Sequence, residues 1–286
     1  MHGGGQGTGQ GSGQGHGQGG QAPDPLRTAL GEVGLGWRPP QPDDALLAID
    51  DTDNLESPGT GFRARELALL LARAGLARPV AITRHQLLVD PRIPYTSHNS
   101  SACLVLAGMA WPEAVFDFGA HYLRGAAASG SDAAIVLLRR AEVGAPLRAW
   151  GRRAKAEVLE HGDARRLARE HGIAHAELSG TGGGLIGALA AVGLHAAGYD
   201  GRVLWLRGLR ELAGRRLRAR AVAAQTGVEI ETLDGARPTQ PDDPIALGDW
   251  PRAVFRDHRP VLLVEEDHAA SQPAWRCVDR EVVKRF

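Results

Sequence analysis

The sequence is poor in cysteine, lysine and aromatic residues, and it carries no net charge. Of its 286 residues only Cys103 and Cys277 are cysteine, and 5% are aromatic. Two cysteines are too few for a disulfide framework or a cysteine-built zinc site, which fits a reducing compartment. No apolar run reaches membrane-spanning length and no signal peptide is visible, so we expect a cytoplasmic protein. Lys plus Arg equals Asp plus Glu, at 33 each, so composition alone predicts neither nucleic acid nor an acidic membrane as partner.

The composition is nevertheless that of a chain that can fold. Apolar residues make up 43% of the sequence, enough for one large domain or two small ones. Residues 1–21 are Gly/Gln repeats without a large apolar side chain, which predicts a disordered tail. Residues 22–44 are rich in Pro and Gly, with Leu26, Leu30 and Trp37 as docking points, so we expect the ordered domain to start near Ala45.

From there short apolar runs alternate with amphipathic segments, a pattern typical of α/β architecture that loosens to α+β in the second half. The predicted strands are Ala45–Ile49, Pro79–Thr83, Ala102–Leu106, Ala133–Leu138, Ile173–Leu178, Arg202–Leu206, Gly227–Thr232 and Pro260–Val264. The predicted helices are Arg63–Ala74, Pro112–Ala126, Asp163–His171, Leu185–Ala197 and Leu209–Ala224.

A run of carboxylates follows the first predicted strand. Asp50, Asp51 and Asp53, with Thr52 between them, come at the carboxyl end of a buried strand, where α/β sheets usually place ligand sites. Neighbouring carboxylates repel each other, and Mg²⁺ would relieve that repulsion. The same residues also suit a capped turn before the next helix. Both interpretations stay open on local sequence.

Two glycine segments each precede a helix and could turn backbone N–H groups toward a phosphate. The first is Gly59, Thr60 and Gly61; the second runs from Ser179 through Gly180, Thr181, Gly182 and Gly183 to Gly184. Neither matches a Walker A loop or a Rossmann fingerprint, and each is equally explained as a tight turn beside the sheet.

A long polar connection joins the second and third predicted strands. Its candidate substrate-loop residues are Arg84, Tyr95, His98 and Asn99, because long loops rich in such groups are often functional. A separate arginine-rich stretch, residues 207–220, gives a weak case for RNA; it is equally well a solvated face.

In this order, "IDDTDN…GTG", "DPRIPYTSHNSSA" and "GTGGGLIGALAAVG" resemble the archaeal tRNA-isoleucine agmatinylcytidine synthetase family. The resemblance covers roughly residues 45–200, with a fainter match through "RPVLLVEED". It implies a mixed-sheet, kinase-like ATP-binding α/β domain at residues 45–200 and a ferredoxin-like α+β unit at 201–286. It also implies that Asp50, Asp51 and Asp53 hold Mg²⁺ and act in catalysis. Thr52, residues 59–61 and residues 179–184 would then bind ATP.

The chain also departs from the family pattern. The family has Cys-Thr-Thr after the first glycines, whereas this chain has Gly61, Phe62 and Arg63, with Thr60 the nearest threonine. We also expect the family's OB-fold and zinc ribbon, modules suited to gripping tRNA, to be absent. We therefore expect a kinase- or ligase-like enzyme that transfers a phosphoryl or adenylyl group to a small-molecule, non-tRNA acceptor, with nucleic acid not favoured. The alternatives are a non-catalytic nucleotide-binding sensor and a tRNA-modifying enzyme helped by a separate RNA-binding partner.

Overall fold

The computed structural model describes residues 24–93, 99–236, 240–270 and 274–286. The helices are α1 (Pro25–Val33), α2 (Thr60–Arg73), α3 (Pro112–Ala126), α4 (Ala145–Ala154), α5 (His161–Glu170), α6 (Leu185–Ala197), α7 (Ala219–Thr226) and α8 (Arg280–Val283). The strands β1 to β6 are Ala45–Asp50, Arg78–Gln86, Ser100–Ala107, Ala134–Arg139, Ala174–Glu177 and Arg202–Trp205. The strands β7 to β12 are Arg216–Arg218, Glu229–Thr232, Pro244–Ala246, Ala253–Arg256, Arg259–Glu266 and Trp275–Cys277. No helix of these described ranges is both long and apolar enough to cross a bilayer.

One mixed sheet runs through the whole described chain. Its strand order is β5-β4-β1-β3-β2-β6-β10-β11-β12-β9-β7, and β8 pairs in parallel with β11. Most neighbours are antiparallel, including β1 with both β3 and β4. The predicted mixed α/β architecture is therefore confirmed.

Strand β1 lies at the centre of the first half of the sheet. Every residue from Ala45 to Asp50 is buried, because helices cover both faces of the strand. Leu47 and Ile49 belong to the core shared with α2 and α3, whereas Leu46 and Ala48 belong to the core shared with α6. The carboxyl end of β1 thus opens between α2 on one face and α6 on the other.

Helix α6 is apolar around almost its whole circumference, as expected of a helix enclosed by other elements. Eleven of its residues are buried, and it packs on α4 as well as on the sheet. The close packing uses glycine: a Cβ on Gly193 would lie 2.1 Å from the Leu147 carbonyl oxygen of α4. The small-residue composition of "GLIGALAAVG" is thereby explained by packing along most of its length.

The predicted helix Leu209–Ala224 is wrong in its first half. The chain there forms a 3₁₀ turn at Arg210–Leu212 and the edge strand β7, and α7 begins only at Ala219. Gly214 lies between the 3₁₀ turn and β7 and has a φ of +73°. A continuous helix excludes this left-handed backbone conformation. Strand β7 then pairs with β9, a partner remote in sequence that local periodicity could not reveal.

The segment before Ala45 contributes a helix that was not predicted. Helix α1 is capped by Asp24, whose carboxylate accepts the Leu26 N–H at 3.1 Å. Leu30, one of the expected docking points, is fully buried against the core beside α2. The Gly/Gln repeats lie outside the described residues.

Candidate active site

The carboxyl end of β1 carries the acidic turn predicted from the sequence. Asp50 is the last residue of the strand and is buried. Asp51 has a φ of +48°, a left-handed conformation that is uncommon for a residue other than glycine. Its carboxylate accepts the Asp132 N–H at 3.3 Å. The chain therefore leaves the strand at Asp51 and is tied there to the segment before β4.

Four aspartates line one cavity of about 200 Å³, which we call the carboxylate cavity. They are Asp50, Asp51, Asp53 and Asp132. Thr60 from the start of α2 and Gly187 from α6 also line it. Three of the four aspartates come from the predicted motif, and Asp132 is brought to them by the pairing of β1 with β4.

The electrostatics of these carboxylates are unfavourable. Burial, and then the charge of Asp51, raises the pKa of Asp50 to about 8. Burial, and then the charge of Asp132, raises the pKa of Asp51 to about 6. Arg84 acts in the opposite direction on Asp50 but does not outweigh burial. Without a cation, holding these groups together costs the folded protein stability.

Asp53 has a structural task as well. Its Oδ1 accepts the Thr60 N–H at 3.1 Å and the Thr60 hydroxyl at 2.7 Å, which caps the N-terminus of α2. The Thr60 hydroxyl in turn accepts from the Thr52 hydroxyl at 3.1 Å. The capped-turn interpretation is thus correct for Asp53, while Asp50 and Asp51 make no such cap.

The first glycine segment belongs to the helix rather than to a loop before it. Gly59 is the N-cap residue of α2, and Thr60 and Gly61 open its first turn. The helix therefore starts at Thr60 and not, as predicted, at Arg63.

The second glycine segment packs directly against the acidic groups. A Cβ on Gly187 would lie 1.7 Å from Asp50 Oδ2, and one on Gly180 would lie 1.9 Å from Asp132 Oδ1. A Cβ on Gly184 would lie 2.9 Å from the Asp50 carbonyl oxygen. Glycine is therefore required where this backbone approaches the carboxylate cavity.

Three of the six amides of the segment Ser179–Gly184 are already used within the protein. Thr181 N–H donates to Asp132 Oδ1, Gly184 N–H donates to the Asp132 carbonyl at 2.9 Å, and Gly182 N–H donates to the Ser179 carbonyl at 3.1 Å. The Ser179 hydroxyl donates to the Ser131 carbonyl at 2.8 Å. The segment thus holds Asp132 in place, and Gly183 and Gly184 form the wall of the cavity.

A second cavity of about 320 Å³ lies next to the first and shares Asp53, Thr60 and Ser100 with it. Four arginines line it, so we call it the arginine cavity. They are Arg65, Arg84, Arg202 and Arg252. The protein thus places an acidic and a basic cavity side by side.

The predicted substrate-loop residues are only partly described. Arg84 lies on β2, where its Nε donates to the Ser100 hydroxyl at 2.7 Å, and it lines the arginine cavity. Asn99 lines the carboxylate cavity and its side-chain amide donates to the Leu88 carbonyl at 2.7 Å. Tyr95 and His98 lie outside the described residues.

Several cavity residues escaped sequence reasoning. Asp132 stands alone between two apolar segments, and Gly187 sits inside a run explained by packing. Arg202 and Arg252 are single arginines in an arginine-rich chain. Only the strand pairing that brings these positions to one place distinguishes them, so no local pattern could have selected them.

The donor set fits a cation held partly by substrate. Within the described ranges no three His, Cys, Asp or Glu side chains form a complete metal-ligand cluster. Mg²⁺ does not need one, because it usually takes one or two carboxylates and completes its shell with water and phosphate oxygens. The buried, mutually repelling carboxylates of Asp50 and Asp51 supply that smaller set.

Comparison with known proteins gives matches among solved structures only; no protein-family model and no curated protein matches the chain. The unliganded structure of TiaS, an agmatidine synthetase for an isoleucine tRNA, has 23% identity and a TM-score of 0.46, covering 52% of this chain and 35% of that one. A tRNA fluorescent labelling enzyme has 24% identity and a TM-score of 0.47, covering 52% and 36%. The complex of TiaS with its isoleucine tRNA and ATP has 23% identity and a TM-score of 0.46, again covering 52% and 36%.

The resemblance found in the motifs is thus confirmed as a resemblance, since the comparison returns the same enzyme. The chain spans about a third of the length of these proteins. One expectation is wrong: a small-molecule acceptor was favoured over nucleic acid, whereas the similar structures are of enzymes that act on tRNA, two of them in complexes with it.

Proposed function

We propose that the chain is an ATP- and Mg²⁺-dependent enzyme that transfers a phosphoryl or adenylyl group to an RNA acceptor. The observation that supports it is the pair of adjacent cavities of opposite charge. Carboxylates can hold a divalent cation in one, guanidinium groups can hold anionic oxygens in the other, and Asp53, Thr60 and Ser100 lie between them. Metal and cationic donors around phosphate oxygens are the main requirements of phosphoryl transfer.

In this proposal Asp50 and Asp51 hold the cation, with Asp53 and Asp132 as further carboxylates of the same cavity. When bound, Mg²⁺ would neutralise phosphate charge and orient the triphosphate. Its charge would also offset the burial and the repulsion that together raise the pKa values of Asp50 and Asp51.

The remaining roles fall to residues that the structure brings to the same place. Thr60 begins α2, so its helix terminus presents a positive dipole end toward the phosphates. Gly183, Gly184 and Gly187 form the wall of the carboxylate cavity against which the nucleotide would lie. Arg84, whose guanidinium group interacts with the charges of Asp50 and Asp53, stabilises negative charge that develops on the transferred group.

RNA is the proposed acceptor because a second anionic substrate matches the arginine cavity, and because the similar structures include TiaS bound to tRNA with ATP or with an ATP analogue and agmatine. A cytoplasmic location belongs to the same proposal, since Cys103 and Cys277 are both unpaired thiols.

Isothermal titration calorimetry with ATP and Mg²⁺, together with phosphate or pyrophosphate release in the presence of tRNA, tests the proposal. We expect the wild-type chain to bind ATP only with Mg²⁺. We expect Asp50→Asn combined with Asp51→Asn to weaken that binding at least tenfold.

The same variant distinguishes a functional from a structural role. Because the carboxylates are buried and repel each other, their replacement should leave the free energy of unfolding unchanged or raise it. A stable variant without ATP binding would support the proposal. Binding by the variant equal to that of the wild type would contradict it, and binding without any turnover would favour a nucleotide sensor instead.

A further inference from the structure

The arginine cavity gathers cations from distant parts of the chain. Arg65 lies on α2, Arg84 on β2, Arg202 on β6, and Arg252 just before β10. Asp53 is the one carboxylate among the residues described as lining it. The concentration of positive charge is therefore a product of the fold, in a chain with no net charge.

Two of these arginines are not held by a carboxylate at salt-bridge distance in the described residues. Within the described part of the chain Arg202 and Arg252 form no salt bridge, although Arg65 pairs with Asp24 at 2.8 Å. Burial, and then repulsion by other arginines, lowers the pKa of Arg252 to about 8. The arginines that act on it are Arg210, Arg65, Arg27 and Arg202. Since guanidinium groups stay protonated in proteins, this arrangement calls for an external anion.

The Trp250 ring contacts Arg202 and Arg252 together with two further arginines. Four guanidinium groups lie 5.1–6.0 Å from its ring centroid, those of Arg202, Arg210, Arg252 and Arg280. Cation–π contacts of this kind position the arginines but leave their outward N–H groups able to donate. Arg252 uses one such group on the Leu204 carbonyl, at 2.8 Å.

We propose that the arginine cavity binds a phosphate group that belongs to the second substrate and not to the ATP triphosphate. Arg202 and Arg252 are its principal ligands, with Arg84 beside them. The identity of the bound group as part of a second substrate rests on the proposed function. The existence of an anion site is inferred independently, from the cavity and its arginines. Two sources share this chemistry: a phosphodiester of an RNA backbone and a free phosphate ester.

The basic stretch visible in the sequence makes a matched control. Arg216 pairs with Asp267 at 2.9 Å, and Arg218 and Arg220 pair with Asp242 at 2.8 and 3.0 Å. These exposed arginines lie on or beside the edge strand β7, and each is at salt-bridge distance from a carboxylate, with Arg218 and Arg220 sharing Asp242. Arg218→Gln with Arg220→Gln removes the same charge as Arg202→Gln with Arg252→Gln.

The experiment uses the full chain and three probes: a tRNA transcript, inorganic phosphate, and ATP with Mg²⁺. Filter binding of the transcript over a series of KCl concentrations should show at least a tenfold loss for Arg202→Gln/Arg252→Gln. The slope of log affinity against log salt should fall by about 1 to 2, and the control pair should change affinity less than twofold. Calorimetry should show ATP affinity within twofold of the wild type in both variants.

The probes also separate the sources. Suppose that Arg202→Gln/Arg252→Gln loses transcript binding and that inorganic phosphate competes with the transcript for the wild-type protein. This result supports a phosphodiester of RNA as the bound group. Loss of inorganic phosphate binding alone supports a free phosphate ester. A parallel loss of ATP affinity, or no loss with any probe, overturns the inference. Failure of the proposed function would instead appear as absent ATP binding in the wild type.

A second measurement does not depend on how the variants fold. Inorganic phosphate at low millimolar concentration and constant ionic strength should raise the melting temperature of the wild type relative to chloride in a saturable way, because a site-bound anion binds only the folded state, whereas general salting-out by phosphate grows without saturating. Equal melting temperatures in phosphate and chloride would overturn the proposal.

Discussion

At the scale of single residues, the site is defined by how closely glycine lets the backbone approach acidic groups. Gly180 and Gly187 have no space for a side chain because the carboxylates of Asp132 and Asp50 occupy it. The sequence shows a glycine-rich, helix-forming run, and both a phosphate cradle and tight packing explain it equally well. In the structure, the absence of a side chain at Gly180 and Gly187 leaves space for the neighbouring carboxylates.

Replacing Gly187 with alanine tests that spacing. We expect Gly187→Ala to lower the free energy of unfolding by about 1 to 3 kcal/mol, because the new methyl group displaces the Asp50 carboxylate. Chemical denaturation measures this change. Gly125→Ala is the control, since a Cβ there meets nothing within 4 Å, and it should gain up to about 1 kcal/mol of stability. Equal gains in both variants would exclude close approach at Gly187.

A second residue-scale feature is the buried hydrogen-bonded chain around His195. Its Nε2 lies 2.9 Å from Arg140 Nη2 and its Nδ1 lies 3.0 Å from the Thr83 hydroxyl, which lies 2.9 Å from His85 Nε2. Because Arg140 can only donate, His195 Nε2 accepts and the ring is neutral. Burial, and then Arg140, holds the pKa of His195 well below its usual range.

This neutral histidine predicts a loss of stability in mild acid. Below about pH 6.5 the unfolded chain takes up a proton at His195 that the folded protein does not, so the free energy of unfolding decreases as pH falls. The decrease attributable to His195 should reach up to about 2 kcal/mol between pH 7 and pH 5. Urea unfolding across that range should give a flatter pH dependence for His195→Gln. The same slope in both proteins would show that the ring titrates freely.

At the scale of elements, the start of α2 joins fold and site. The carboxylate of Asp53 caps the helix through Thr60, and both residues line the two cavities. The sequence left a capped turn and a ligand site as alternative interpretations of this segment. In the structure the cap formed by Asp53 and Thr60 lies at the boundary between the two cavities.

Thr60→Val tests the cap with little change in volume. It removes the hydroxyl that donates to Asp53 and accepts from Thr52, so we expect a loss of about 1 to 2 kcal/mol in the free energy of unfolding. Thermal and chemical unfolding provide the measurement. The control is Thr28→Val on α1, whose exposed hydroxyl makes only a 3.5 Å contact with the Asp24 carbonyl and should change stability by less than about 0.5 kcal/mol. Equal effects would contradict the capping role.

Elements that periodicity defines were predicted well, and those defined by remote pairing were not. Strand β1 and helix α3 follow directly from apolar runs and amphipathic spacing. The short strands β7, β9 and β12 carry little local signal and exist because they pair with one another or with β11. Helix α4 was not predicted because "APLRAWGRRA" carries few large apolar residues.

At the scale of the whole molecule, a balanced overall charge conceals a strong local separation. Asp50, Asp51 and Asp53 are nearly contiguous and visible in the sequence, so the acidic half of the site could be predicted. The arginines of the other half come from four parts of the chain, whereas Arg216, Arg218 and Arg220 of the contiguous basic stretch pair with carboxylates at the far edge of the sheet. Charge order in the sequence therefore did not reveal the arginines that line this cavity.

The central claim is that the carboxylate cavity holds a divalent cation together with ATP. Electron paramagnetic resonance of Mn²⁺, which accepts the same oxygen ligands as Mg²⁺, tests it most directly. With ATP present, the wild-type chain should bind one equivalent of Mn²⁺, and Asp50→Asn with Asp51→Asn should lose most of that binding. Asp163→Asn, which removes an exposed carboxylate on α5, should bind as the wild type does. Undiminished Mn²⁺–ATP binding by the Asp50/Asp51 variant would contradict the account.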